Sequence, residues 1–432
     1  MRVAWFSPVP PAHSGIAAYS AELLPHIAGD HRVDVFDEAH AHNFVWMARH
    51  DPYDLVVYQL GNAPCHDYMW AYLAAYPGLV VLHDARLHQS RARSLLQQRR
   101  FDDYRNEFEY DHPDAAPGFA EYAVEGLGGP IYYFWTMLRV VMRTARTVAV
   151  HNARVAAELR EAYPDTAIDV IRMGVPPIAG ADDEQSRMIA RRALALPETS
   201  TVFAAFGRVT PEKRIAQILR ALGALATEGR DVRLLLVGDA DGHATLGADI
   251  AHHGLADRVQ VTGHVADEAI GSHLAAADVC LCLRWPTAQE TSASWLRCLA
   301  AARPTVISDL ANMVDTPTVD PRSRLASPAG AAPVAVAIDL LDEEASLLHA
   351  MRWLADDGRA REAIARSGHA YWAAHHTMEA MAADYRRVIA LAAARPAPAP
   401  SDLPAHFTED YSSTARAIAS RFGIALDEVL PR

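Results

Sequence analysis

Residues 203–220, FAAFGRVTPEKRIAQILR, gather cations where chemistry on an anion is expected. An apolar run, 201–206, stops at Gly207. A short polar turn then carries Arg208, Glu212, Lys213 and Arg214, after which Ile215, Ile218, Leu219 and Leu222 recur at helical spacing. The spacing predicts strand, loop and helix, with positive charge where the strand's carboxyl end meets the helix's amino end. In open α/β sheets ligands sit at that edge, and the free amides and dipole of a helix start favour an anion there. Arg and Lys add donors suited to phosphate oxygens. The residues alone leave two readings open: a diphosphate site, or a solvated loop whose charges cap a helix.

Three further stretches carry reactive side chains. In ETSASWLRCLAA, Glu290 stands at a helix start with Thr291 and Ser292 behind it, where backbone amides suit a phosphate oxygen; the alternative is an acidic N-cap. In VVLHDARLH, His83 and Asp84 end a strand and His88 follows about one helical turn later. The three could mimic a metal cluster, but the spacing fits no common zinc signature, and a buried, hydrogen-bonded histidine is the other option. In SPVPPAHSG, Ser14 and Gly15 open the first long helix, and Gly15 lets a ligand approach the backbone or simply sits beside an N-cap. Asp239–Asp241 spell Asp-x-Asp but follow the LLLVG strand in a turn, so no bound metal or other cofactor is expected.

The elements that must position these groups are legible from period and punctuation. Strands are predicted at 3–6, 33–36, 55–58, 79–82, 147–150 and 168–171, with helices between them. A long insert with helical periodicity, 86–146, is expected to cap that sheet's carboxyl edge. A composition shift over 173–200 marks a linker, after which the alternation restarts: strands at 201–206, 232–237, 259–261, 279–283, 305–308 and 334–338. Strands alternating with helices mean mostly parallel sheets. The reading is an α/β chain of two facing, doubly wound domains. The first spans 1–178, and the second, 179–375, carries the cation-rich loop and would bind a ligand's phosphates. Helices follow over 376–432, crossing back to the first domain, with an Ala/Pro-rich spacer near 393–404 and a last amphipathic helix, 412–423, that could dock on its own domain or on a partner.

Composition bounds the partners. The 432 residues carry a net charge of −13, which argues against a nucleic-acid binder, so phosphate recognition must be local. Of the cysteines, Cys280 and Cys282 read as small buried hydrophobes on one strand face. No signal-peptide pattern and no apolar run of the ~18 residues a membrane span needs are present, so the chain is read as cytoplasmic. The most basic window, 86–100, is either a solvated face or a surface for a phosphorylated acceptor or for the inner face of a membrane.

Taken in order, these segments resemble retaining glycosyltransferases of family 4, with the GT-B fold, from Arg2 to about Arg387. FGRVTPEKRI is similar to the family's phosphate loop, SPVPPAHSGIAAYS to its N-terminal glycine-containing loop, and VVLHDARLH to its strand-end His-Asp element. LLLVGD, RVQVTGHV and the stretch from LAAADVCLCLRW to VISD fill in the rest. The resemblance implies a nucleotide-diphosphate sugar as donor and co-substrate, an unidentified acceptor, and a place in cell-envelope or polysaccharide biosynthesis. Gly207, Arg208 and Lys213 would hold the diphosphate, with Thr291 and Ser292; Glu290 would accept hydrogen bonds from ribose or sugar hydroxyls. The backbone at His264 and Val265 would hold the base. His83 would touch the donor sugar or the reacting centre, Gly15 and Ser14 the donor phosphate or the acceptor, and Asp84 and His88 the acceptor side. The family's pattern has two glutamates eight apart; here counting on from Glu290 reaches Cys298, and counting back from Pro304 reaches Gln289 and Arg297. One carboxylate is missing or displaced. A nucleotide-sugar epimerase on the same fold and a non-catalytic sugar-nucleotide-binding subunit are the alternatives.

Overall fold

The computed structural model describes residues 1–181, 183–409 and 412–425. Its first sheet holds β1 (Arg2–Phe6), β2 (Arg32–Phe36), β3 (Leu55–Leu60), β4 (Leu79–Leu82), β5 (Thr147–Val150) and β6 (Ile168–Val170), in the order β2-β1-β3-β4-β5-β6. Every pairing in it is parallel. The central strands are near-continuous apolar runs, and β3, β4 and β5 are buried along their whole length because helices cover both faces.

The second sheet comprises β7 (Thr201–Phe206), β8 (Val232–Val237), β9 (Val259–Val261), β10 (Val279–Cys282), β11 (Thr305–Ser308), β12 (Thr318–Val319), β13 (Ala326–Ser327) and β14 (Ala335–Ile338). Its order is β13-β12-β14-β11-β10-β7-β8-β9. Among the described strands β12 and β13 pair antiparallel and the other pairings are parallel. Those two strands are absent from the sequence reading, because two residues are too short to show a period. From β9 to β14 this is the doubly wound arrangement, whose direction of winding reverses between β7 and β10. The first sheet reverses between β1 and β3. The two sheets and their helices make a GT-B fold.

Five short helices, from His88–Gln97 to Arg139–Thr144, form the insert between β4 and β5. They share their own apolar cluster, built on Leu95, Tyr104, Phe108 and Met137. Two arginines of the basic window, 86–100, are drawn into the fold. Arg91 is buried, bonded by its Nε to Glu107 at 2.7 Å and lying 4.3 Å over the Trp70 ring. Arg93 pairs with Asp67 at 2.9 Å. A surface for anions needs uncompensated charge, and these guanidiniums are neutralised inside the fold by carboxylates distant in sequence. Among the described residues no helix is long and apolar enough to cross a membrane.

Helices Glu343–Asp356 and Gly358–His375 pack beside the second sheet through Leu347, Met351, Leu354 and Ile364. The next helix, Met378–Ala394, lies against the first lobe. Its Tyr385 hydroxyl meets Tyr19 at 2.7 Å and its Asp384 pairs with Arg172 at 2.7 Å. One apolar cluster runs from Trp5, Tyr19 and Val57 through Tyr385 and Trp372 to Trp295 and Leu299, so the lobes share a core where this helix crosses. The final helix, Ser413–Arg421, leaves Ile418 exposed, as are Phe422 and Ile424 after it; residues 426–432 of the expected C-terminal region lie outside the described residues.

Candidate active site

At the reversal point of the second sheet, the loops after β7 and β10 diverge and leave a cavity of about 90 Å³. Its polar walls are Lys213, Arg284, Glu290, Ser292, Ser294 and Asn312. Lys213 ends a single 3₁₀ turn, Pro211–Lys213, whose first residue is a proline suited to a helix start. Its Nζ donates to the carbonyl oxygen of Phe206. Gly207 makes this return possible: its φ is +85°, and a Cβ there would stand 2.8 Å from Nζ. Burial, and then the charge of Arg284, pull the Lys213 ammonium down to a pKa of about 7. An amine whose charged form is disfavoured by burial is returned to the ammonium form by an anion beside it.

Arg284 follows β10 and sets its Nε 2.7 Å from Glu290. Glu290 also accepts from the Thr287 hydroxyl at 2.8 Å and the Ala288 amide at 2.9 Å. Its carboxylate therefore orients Arg284 and closes its own loop. Ser292 caps the helix Ala293–Ala300, accepting from the Trp295 amide at 3.2 Å. The N-cap is thus Ser292, and Glu290 stands two residues ahead of it. Sequence reasoning missed Arg284. The signal was present in LCLRW: an arginine just past a strand that the doubly wound order sets beside the Lys213 loop.

Arg208 is not brought into this cavity. Its side chain is exposed, beside the turn that holds Gly242. Arg214 turns the other way and is bonded to Glu343 by its Nε at 2.7 Å. Arg297 reaches Glu22 at 2.5 Å across the lobes, and Cys298 is buried with its Sγ 3.9 Å from that of Cys282. Neither supplies a second carboxylate. Asp239 accepts from the Asp241 amide at 3.1 Å and shapes its own turn. Among the described residues no group of three or more His, Cys, Asp or Glu is placed to hold a metal ion.

The first lobe faces the second through the end of β4, at a separate cavity. His83, Gln289 and Thr291 line one small cavity between the lobes, with His151 and Asn152. The Ala85 amide donates to the Ala288 carbonyl at 2.8 Å, tying the two loops together. His83 is buried, and its Nε2 lies 2.8 Å from Gln59 Oε1. Gln59 Nε2 in turn donates to the Tyr385 hydroxyl at 3.1 Å. Burial and the neighbouring His151 hold the His83 ring neutral, its pKa well below the ordinary value. Gln59 and Tyr385 were not found from sequence, because they come together only where the C-terminal helix crosses the first sheet.

Asp84 accepts from the Asn62 amide at 2.7 Å. Burial, then the charge of Glu290, push its carboxyl up to about 7. His88 is corrected. Its Nε2 lies 2.7 Å from the Tyr104 hydroxyl, and its ring packs on Phe108 and Tyr132 inside the insert. A histidine fully buried there is part of that small core and touches neither cavity. Ser14 accepts from the Ile16 amide at 3.2 Å and caps the first helix, with open space beside Gly15. The neighbouring His13 ring stacks 4.5 Å from that of His264, so the loop after β1 faces the loop after β9. Val265 packs inward on the second lobe.

Residues 200–341 match the family model described as "Glycosyl transferases group 1". The chain is 30% identical to the 2-deoxystreptamine glucosyltransferase of Streptomyces kanamyceticus over 59% of its own length, and spans 62% of that protein. Its fold is similar to sucrose-phosphate synthase from Thermosynechococcus elongatus, with a TM-score of 0.64 at 16% identity over 90% of this chain and 99% of that one. It is also similar to Anabaena HepE, solved in complex with UDP, with a TM-score of 0.61 at 15% identity over 90% of this chain and 100% of that one. With the cation-lined cavity at the reversal point of its second sheet, this chain resembles the glycosyltransferases, through a group 1 domain at residues 200–341 set in a GT-B fold.

Proposed function

We propose that this protein transfers a hexosyl group from a nucleotide-diphosphate sugar to an acceptor, with retention of configuration and without a metal. The observation that carries the reading is the pair of cations, Lys213 and Arg284, in the cavity at the β7/β10 reversal, beside the capped start of helix Ala293–Ala300. Negative charge grows on the leaving diphosphate as the bond to the sugar's anomeric carbon breaks. Fixed cations stabilise that charge more in the transition state than before it. Lys213 and Arg284 would thus supply what a metal supplies elsewhere. Ser292 and Thr291 would hold phosphate oxygens by hydroxyl and amide.

His83 faces the seam between the lobes in its neutral form, fit to hydrogen-bond a sugar hydroxyl. The acceptor oxygen would form its bond on the face from which the diphosphate departs, and its proton would pass to the departing phosphate oxygen. The relative solved with UDP favours a uridine donor, with the base near His264 and Val265. Incubation with UDP-glucose and other nucleotide sugars, followed by NMR of the transferred anomeric centre, tests the reading; an inverted product would remove the retaining mechanism. One observation favours the epimerase alternative: Asp84 and Glu290 are close enough for their charges to interact. Donor incubated without acceptor separates the two, since an isomerised sugar would speak for the epimerase.

A further inference from the structure

A third cavity, of about 400 Å³, is bordered by Gln289. Gln289 lines both this cavity and the small one that holds His83, so the two are adjacent. Its charged walls come from the insert and from the helix after β5: Arg86, two residues beyond Asp84, and Arg139, on the insert's last helix. Leu159, Ala162 and Tyr163 add apolar surface to its lining.

The state of the two guanidiniums sets this cavity apart. The chain pairs most of its arginines with carboxylates, yet among the described residues neither Arg86 nor Arg139 has one within ion-pair distance. Arg86 is half-buried and makes one hydrogen bond, to the Ala85 carbonyl at 3.3 Å. Arg139 has a buried Nε with no hydrogen-bond partner, its guanidinium lying 5.8 Å from the Tyr110 ring centre. The carboxylate that lines the cavity, Glu158, is engaged: it accepts from Gln289 at 2.9 Å and faces Arg154 at 3.7 Å. A buried donor without an acceptor costs about 1–3 kcal/mol, and more when charged. Such groups persist in binding sites, where the ligand supplies the missing acceptor.

We propose that this cavity is the acceptor subsite and that it selects acceptors bearing an anionic group, a phosphate or a carboxylate, seated between Arg86 and Arg139 with its apolar part against Leu159 and Tyr163. The inference rests on the transferase reading for the word acceptor, and on the two guanidiniums for the anion. It places the acceptor's charged end away from the hydroxyl that reacts, which would reach past Gln289 toward His83.

Phenyl phosphate, benzoate and neutral benzyl alcohol would be titrated calorimetrically into the full chain with UDP saturating the donor site. The two anions are expected to bind and the alcohol to bind at least tenfold more weakly. R86Q and R139Q should each weaken phenyl phosphate at least tenfold, while R86K and R139K, which keep the charge, should stay within a few-fold of wild type and show that the fold is intact. Equal affinity for benzyl alcohol, or wild-type affinity in both glutamine variants, overturns the proposal. The donor arm is read separately by titrating UDP alone. If no nucleoside diphosphate binds wild type, the transferase reading fails, whereas phenyl phosphate binding that depends on Arg86 and Arg139 still upholds the anion site.

Discussion

Replacing Lys213 by methionine keeps an unbranched side chain, one atom shorter, and removes its charge. The ordinary pKa of 10.5 falls to about 7 in the fold, so holding the ammonium at this buried position costs roughly 5 kcal/mol at about 1.36 kcal/mol per pH unit. Between those two pH values the unfolded chain binds more protons than the native one. Stability of the nucleotide-free protein should therefore rise with pH across that window, and K213M should lack the rise. Diphosphate reverses the penalty by offering the ammonium a counter-charge. At pH 8 the free protein holds Lys213 mostly neutral, so nucleotide binding should take up roughly 0.9 proton. Calorimetry in buffers of different ionisation enthalpy reads this number directly. K213M should show no uptake, and should lose on the order of 10²–10³ in kcat, as removal of one charge-stabilising donor does. Equal proton uptake in wild type and K213M, or a near-wild-type rate in the variant, would refute the placement of this ammonium on the leaving group.

Asp84→Asn should behave in the opposite sense with pH. The native state holds the Asp84 proton more tightly than the unfolded one, since its pKa is pushed from 3.8 up to about 7. Wild type thus loses stability as pH rises from 4 to 7, and D84N should not, with a gap of up to roughly 4 kcal/mol above pH 7 in denaturant titrations at paired pH values. Asp278→Ala leaves the buried Arg191 without its carboxylate partner at 2.5 Å and the Val202 amide without its acceptor; a loss of about 3–5 kcal/mol is expected by chemical denaturation. Tyr385→Phe strips a partner from both Tyr19 and Gln59. It should cost about 1–3 kcal/mol in stability and lower activity through the freed Gln59 that orients His83, an effect that Gln59→Leu should reproduce.

Strand positions were legible because period and punctuation are local. The runs ending at Phe6, Leu82, Val150, Phe206 and Val237 stop where a glycine, histidine or serine follows, and the fold places each strand there. The Lys213 loop and the Ser292 helix start could be read for the same reason: each is one strand end or one cap, complete within a dozen residues. The second cation could not be read. Arg208 sits beside Lys213 in sequence but faces outward, whereas Arg284 comes from another strand and faces in. Which of two arginines joins a cavity depends on strand order, and strand order is a long-range property.

The sequence by itself determined two doubly wound sheets, the insert and a lysine at the right strand end, because alternation, turn residues and helix starts act over one or two turns of chain. Tertiary structure alone decided that His88 belongs to the insert's core, that Arg91 is neutralised by Glu107, and that Gln59, Tyr385 and His83 form one chain of hydrogen bonds. The physical reason is common to all three. A polar group's role is set by the partner that meets it on burial, and those partners lie on elements that only packing brings together.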